Sequence, residues 1–285
     1  MVQENCIKNK ILIICGPTAS GKTDLAVQCA KLLDSEVISA DSMYIYKNLD
    51  IGTAKPKVEE MQGVKHHLID VVSPFDNFSV SDYKALAQPI VDELISRGKI
   101  PIICGGTGFY INSILYDLSY GKGEANLEIR EKYKKLAEEK GNEYVYNVLL
   151  ELDSESAKKL HFNDIKRVIR AIEICQSGVK KSEIIDNFEP KYNYKAYCVE
   201  HPRQTLYDRI DKRVDLMVKS GLIDEIKGLL EVGVNKNCQC MQAIGYKEIL
   251  EYLDGLCTLE QAVDKIKLNR SSVRRTVAVS VYMEF

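Results

Sequence analysis

The chain has 285 residues, 45% of them hydrophobic and 28% charged, with a formal net charge of −2. That is the balance of a soluble globular protein with room for one large domain, or for a core and a smaller partner, and it excludes a low-complexity or membrane-embedded chain. Near neutrality leaves nucleic acid open, because a local basic face can bind phosphates while acidic surface elsewhere cancels the sum.

The first apolar run, residues 11–15 (ILIIC), is too short for a signal-peptide core or a membrane span and reads as a buried strand. A Gly-rich turn follows, then a helical pattern over about 23–33. Between them lie Gly16, Pro17, Thr18, Ala19, Ser20, Gly21, Lys22 and Thr23, which fit G-x-x-x-x-G-K-[ST] in the strand–turn–helix setting that motif requires. The glycines let backbone N–H groups point inward and the helix N-terminus adds positive potential. Lys22 would reach the terminal phosphate and the Thr23 hydroxyl would hold Mg²⁺. The loop binds phosphate; alone it does not choose between a nucleotide and another diphosphate.

Residues 36–39, 68–72 and 100–104 read as three further strands, and 81–96 has helical periodicity with Gly98 as its stop. Strand–helix–strand repetition of this kind predicts an α/β fold, a P-loop NTPase-like parallel sheet flanked by helices. Asp41 follows the second strand, where ligands of open parallel sheets bind. It suits a proton acceptor or an Mg²⁺ neighbour, and it equally suits a cap on the next turn. His66 and His67 alternate across a strand and make a poor metal pair. The run Gly105-Gly106-Thr107-Gly108 lacks dinucleotide-site spacing; a Gly-rich loop there would let a substrate approach closely.

From about 120 to 190 the chain turns helix-rich and Lys/Glu-heavy, which predicts a helical insertion (120–190) in a core made of 1–119 and 191–285. A strand at 194–199 returns it to the sheet, and the remainder is helical. Within the insertion, Lys166, Arg167 and Arg170 are spaced to line one stripe, as a nucleic-acid contact or a solvated charged face. Farther on, Arg209 and Arg213 are four apart, placed either to neutralise a departing phosphate or to pair with Asp208, Asp211 or Asp215. Nine scattered cysteines, an odd number with no C-x-x-C pair, argue against a disulfide framework and for a reducing, cytoplasmic setting.

Taken together, GPTASGKTDLA, ISADSMYIYKNLDIGTAKP, HHLIDV, GGTGFYI, NDIKRVIRAIEI, LYDRIDKRVDLMVKSGL and QAIGYKEI resemble the tRNA dimethylallyltransferase (isopentenyltransferase) family over residues 10–268. The combination of DSM-x-IY and DIGTAKP behind a P-loop is one that generic P-loop kinases lack. The resemblance implies transfer of a dimethylallyl group from its diphosphate to N6 of adenosine 37 in tRNAs that read codons starting with U. It implies Asp41 as general base, Thr23 with Mg²⁺ on the diphosphate, and Arg213 on the leaving pyrophosphate. It implies tRNA contacts at Asp41, Ser42, Met43, Tyr44, Thr107, Arg130, Lys166, Arg167, Arg170, Gln242, Gly245 and Lys247, with the insertion clamping the anticodon stem-loop. The expected partners are tRNA and dimethylallyl diphosphate, with no membrane, and the expected state is a monomer. The alternatives are a P-loop nucleotide or metabolite kinase and an inactive tRNA-binding remnant. The latter arises because the stretch after Leu268 reads NRSSVRRTVAVSVYMEF where the family has a basic, aromatic segment. Tyr44 stands where the family usually has Gln, and Phe162 where it has Pro.

Overall fold

The computed structural model describes residues 9–118, 126–184 and 186–282, the stretch 272–282 as backbone only. Chain contacts divide it into two compact units, with breaks between Tyr116 and Asp117 and between Glu189 and Pro190. The expected junction at 119–120 lies outside the described residues.

The first unit holds one five-stranded parallel sheet: β1 (Lys10–Cys15), β2 (Val37–Ala40), β3 (His66–His67), β4 (Ile102–Gly105) and β5 (Asn193–Cys198), in the order β3-β2-β4-β1-β5. The apolar runs occupy its centre. Every residue of β2 and β4 is buried, as expected of parallel strands covered on both faces. The outer β5 is only partly covered. Register aligns the carboxyl ends, with Cys15 opposite both Gly105 and Cys198, and Ala40 opposite Gly105. Each of those residues is followed at once by a loop, so four loops open on one edge of the sheet.

Helices α1 (Lys22–Leu32), the short α2 (Val58–Met61), α3 (Val80–Ser96) and α4 (Gly108–Leu115) belong to the first half of this unit. Ser79 caps α3: its Oγ accepts from the Asp82 amide at 3.3 Å, while Asp82 Oδ2 accepts from the Ser79 amide at 2.8 Å. One strand expectation fails. Residues 68–72 are not a continuous strand: the β2–β3 ladder ends at His67, and only Val72 pairs again, in an isolated bridge with Tyr46. Leu68 (φ +62°) and Asp70 (φ +57°) turn the backbone into the left-handed region, and the Val71 and Val72 amides both donate to Ile45 O at 2.9 Å. Of the run, Leu68 is buried and Val71 is exposed. His67 is held by Glu36, whose carboxylate lies 2.7 Å from its Nε2.

The second unit consists of α5 (Leu127–Lys140), α6 (Asn142–Leu152), α7 (Ser154–Ala157) and α8 (Ile165–Gln176). Tyr133, Val145, Leu149, Ala157, Val168, Ala171 and Ile172 form its core. In α8 the 3.6-residue period sorts the chain cleanly: Val168, Ile169, Ala171 and Ile172 face inward, and Lys166 and Arg167 stay exposed. Each such side chain buried contributes about 1.5–3 kcal/mol, enough for a small core of its own.

The chain then re-enters the first unit through β5 and finishes with α9 (Arg203–Lys219), α10 (Leu222–Glu231), α11 (Tyr246–Leu253) and α12 (Leu259–Tyr282).

Candidate active site

The loops after β1, β2 and β4 meet at the carboxyl edge of the sheet. The loop after β1 is closed on itself: Lys22, at the head of α1, is buried and its Nζ donates to Pro17 O at 3.3 Å. The Thr23 hydroxyl-bearing side chain follows it into a compartment of about 70 Å³ lined by Ala19 to Asp24, Tyr44, Ala54, Pro56, Glu60 and Arg213. Arg213 comes from α9, so the arginine and the phosphate loop converge. Arg209, one turn away, instead directs its Nη1 at His201, 3.0 Å off, and His201 reaches Ser20 O at 2.8 Å.

A second compartment of about 320 Å³ opens beside it, lined by Gly16, Thr18, Lys22, Asp41, Ser42, Met43, Gly52, Thr53, Gly106, Thr107, Gln242, Ala243, Ile244 and Arg270. Lys22 borders both. Asp41 lines this compartment, and its Oδ1 accepts from the Met43 amide at 2.9 Å, so capping and cleft-lining are both true of it. Thr107 locks the neighbouring loops together, with its amide donating to Ala40 O at 3.0 Å and its Oγ1 accepting from the Ser42 amide at 3.1 Å. The reason for glycine at 105 differs from the expectation. A Cβ there would lie 2.1 Å from Ala40 O, so the close approach is that of β2's own backbone, one residue before Asp41.

Charge gathers where the two compartments join. Burial, with the negative charge of Asp41 second, pushes the Tyr44 phenol well above its ordinary range, so it stays a donor; its Oη gives a hydrogen bond to Ala54 O at 2.9 Å. Burial and the nearby Arg213 guanidinium together lower the Arg270 pKa, while Asp41 works the other way. Two guanidinium groups near one carboxylate make a cleft that favours anions. Cys15 and Cys104 are pushed up to about 12, both chiefly by burial, and are unreactive thiols. The eight described cysteines are all free.

Arg270 is a residue the sequence reading missed. Its Nη2 donates to Gly52 O at 2.5 Å and to Ile244 O at 3.2 Å, and its Nε is buried without a partner. Nothing in the local sequence signals this, since both acceptors belong to distant segments. Gln242 lines the second compartment and donates to Lys236 O at 2.8 Å. Gly245 begins α11 with its amide on Glu248 Oε2, and Lys247 is a turn outward, 3.7 Å from Glu248 Oε1.

The remaining expected contacts lie in the second unit. Arg130 and Arg170 converge on the buried Glu173, at 3.0 Å and 2.8 Å. Arg167 pairs with Asp164 at 3.3 Å, and Lys166 is exposed. The basic residues of α8 therefore divide: Arg170 leans into the unit, and Lys166 and Arg167 present outward charge.

A family model described as IPP transferase matches residues 44–275. A tRNA dimethylallyltransferase of Acetivibrio thermocellus is 49% identical over 264 residues, covering 91% of this chain and 84% of that protein. One from Caldanaerobacter subterraneus subsp. tengcongensis is 49% identical over 270 residues, covering 90% and 84%. Among solved structures, the full-length tRNA isopentenylpyrophosphate transferase of Bacillus halodurans superposes with a TM-score of 0.71 at 40% identity, covering 97% of this chain and 88% of that one. A eukaryotic dimethylallyltransferase described as acting on tRNA gives 0.82 at 28% identity, covering 96% and 70%.

Proposed function

The chain belongs to the IPP transferase family, and from that premise we propose that it transfers a dimethylallyl group from dimethylallyl diphosphate to N6 of adenosine 37 in tRNAs reading codons that start with U. The observation that carries the reading is the pair of joined compartments: a phosphate loop with Arg213 on one side, Asp41 with Thr107 and Arg270 on the other, and Lys22 bordering both. A phosphate-donor cradle and a carboxylate-bearing acceptor cleft are what a two-substrate transfer needs.

The loop amides, Lys22 and Arg213 would bind the diphosphate and stabilise negative charge as its C1–O bond breaks. The N6–C1 bond forms as an amine proton passes to Asp41, whose Oδ1 is already oriented by the Met43 amide. Adenine must leave the anticodon-loop stack to reach the second compartment, as bases do in enzymes that act on them. Thr23 lines the phosphate-loop compartment, and its hydroxyl oxygen is a hard donor that would suit Mg²⁺. When bound, that ion would neutralise charge on the leaving diphosphate. Asp41, Ser42, Met43, Tyr44, Thr107, Gln242, Gly245 and Lys247 would meet the flipped nucleotide and its neighbours, and Arg130, Lys166, Arg167 and Arg170 the stem-loop. We place the protein, as a monomer, in a reducing cytoplasm; its free cysteines support that setting, and no helix among the described residues is long and apolar enough to cross a membrane.

The test is incubation with labelled dimethylallyl diphosphate, Mg²⁺ and an anticodon stem-loop carrying adenines at positions 36 and 37. Label in the RNA is the expected result. In a parallel incubation with a nucleoside triphosphate, its hydrolysis with no label transferred in the first would favour the kinase, and stem-loop binding without transfer would favour the remnant.

A further inference from the structure

We propose that Glu225 is a positioning residue for the transfer reaction, latching through one carboxylate the turn that walls the acceptor cleft. This rests on the transferase reading above. Glu225 stands on α10 and lines neither compartment, yet it receives four hydrogen bonds. Its Oε2 accepts from the Asp50 amide at 2.9 Å and the Ile51 amide at 2.7 Å; its Oε1 accepts from the Gly52 amide at 3.0 Å and from Tyr246 Oη at 2.6 Å. Three successive backbone N–H groups aimed at one anion form a nest.

The turn so held is the strip the two compartments share. Gly52 and Thr53 line the acceptor side, and Ala54 and Pro56 line the phosphate side. The Gly52 carbonyl in turn receives Arg270 Nη2, so its peptide is gripped on the N–H side by Glu225 and on the C=O side by a cleft arginine. There is no slack around it. A Cβ at Gly52 would sit 2.6 Å from the Tyr246 ring and 2.8 Å from a Leu222 methyl. A displacement of the turn would therefore carry Thr53 and the Arg270 guanidinium with it.

The chemistry makes a distinctive demand at position 225. All four partners are donors, and a carboxylate can accept from all of them. An amide of the same shape has one acceptor oxygen and turns an NH₂ group toward N–H donors. Glu225→Gln should therefore fail where a merely space-filling role would tolerate it.

The experiment compares wild type, Glu225→Gln, Tyr246→Phe and, as control, the exposed neighbour Asp224→Asn. Prenyl transfer is followed with KM for stem-loop and for dimethylallyl diphosphate measured separately, alongside Tm and amide exchange at residues 50–52. Misplacing a substrate-positioning segment by about 1 Å costs on the order of a hundredfold, so Glu225→Gln should lose roughly ten- to hundredfold in kcat/KM for the RNA. The diphosphate KM should change less, because the phosphate loop is closed on itself by Lys22 and Pro17 and meets this turn only through Ala54 and Pro56. Tyr246→Phe, which keeps three of the four bonds, should lose less, and Asp224→Asn nothing. Wild-type kinetics in Glu225→Gln, or an equal fall in kcat/KM for both substrates together with a collapse in Tm, would overturn the proposal. If the wild-type chain transfers no dimethylallyl group, the transferase reading falls instead. The latch is then judged by exchange at residues 50–52, and unchanged protection in Glu225→Gln overturns it.

Discussion

One oxygen of Asp41 is committed to the Met43 amide, which fixes the carboxylate's direction before any substrate arrives. Removing the side chain should cut transfer by about 10²–10⁴, the usual contribution of a positioned general base, with diphosphate binding retained. Asp41→Asn keeps the shape and can still accept from Met43, so an Asn variant as slow as Ala assigns the effect to the proton and not to the turn. Unchanged turnover in Asp41→Ala would sink the role. Arg213→Ala should lower kcat by about 10²–10³, as losing one donor to a developing oxyanion does, with stem-loop affinity unaltered; filter binding and single-turnover transfer separate the two. At this scale the motif residues are legible in sequence, because phosphate loops and strand-end acids act through local backbone geometry. Arg270 is not. Its meaning depends on Gly52 O and Ile244 O, which only tertiary folding brings to it.

Among the elements, the phosphate-loop strand and the helices around it follow from short-range pattern alone, whereas residues 68–72 do not. Their apolar composition is that of a strand, but two left-handed residues and amides that converge on Ile45 O end the ladder at His67. The β2–β4 junction offers a sharp test. Gly105→Ala must push a methyl carbon into Ala40 O, at a cost of about 2–3 kcal/mol for overpacking against backbone; calorimetry should show Tm down by several degrees, and activity should fall too because Asp41 comes next. A wild-type Tm would refute the contact. In the second unit, burial by itself would raise the Asp153 carboxyl, but hydrogen bonds from Ser156 Oγ and the Ser156 and Ser182 amides outweigh it and hold it well below the ordinary range. A depressed folded pKa stabilises above the unfolded value, near 3.9, and that stability drains away as pH falls below it. Asp153→Ala should destabilise this unit by about 1–3 kcal/mol at neutral pH, leaving buried donors unmet. It should also flatten the acid limb of a denaturation–pH curve; an unchanged limb would count against the assignment.

Across the whole molecule, the proposed chemistry belongs to the sheet unit and a proposed share of RNA affinity to the helical one. Lys166→Ala with Arg167→Ala should then weaken stem-loop binding and reduce the slope of log K against log salt by about one to two, as losing one or two phosphate contacts does. At saturating RNA, kcat should hold. A slope equal to wild type would show that these exposed cations touch no phosphate. The helical segment was visible from its Lys/Glu-rich periodicity, but its fold around Val145, Leu149 and Val168 needed long-range contacts to see. The way it is attached carries a consequence of its own. The chain leaves the sheet unit after α4 and returns just before β5, where the Lys191 amide donates to Leu115 O at 2.8 Å and Asp117 and Asn187 form an antiparallel bridge. Exit and entrance thus meet at one point on the sheet unit. Such a graft can be lengthened, trimmed or replaced with little strain passed to its host.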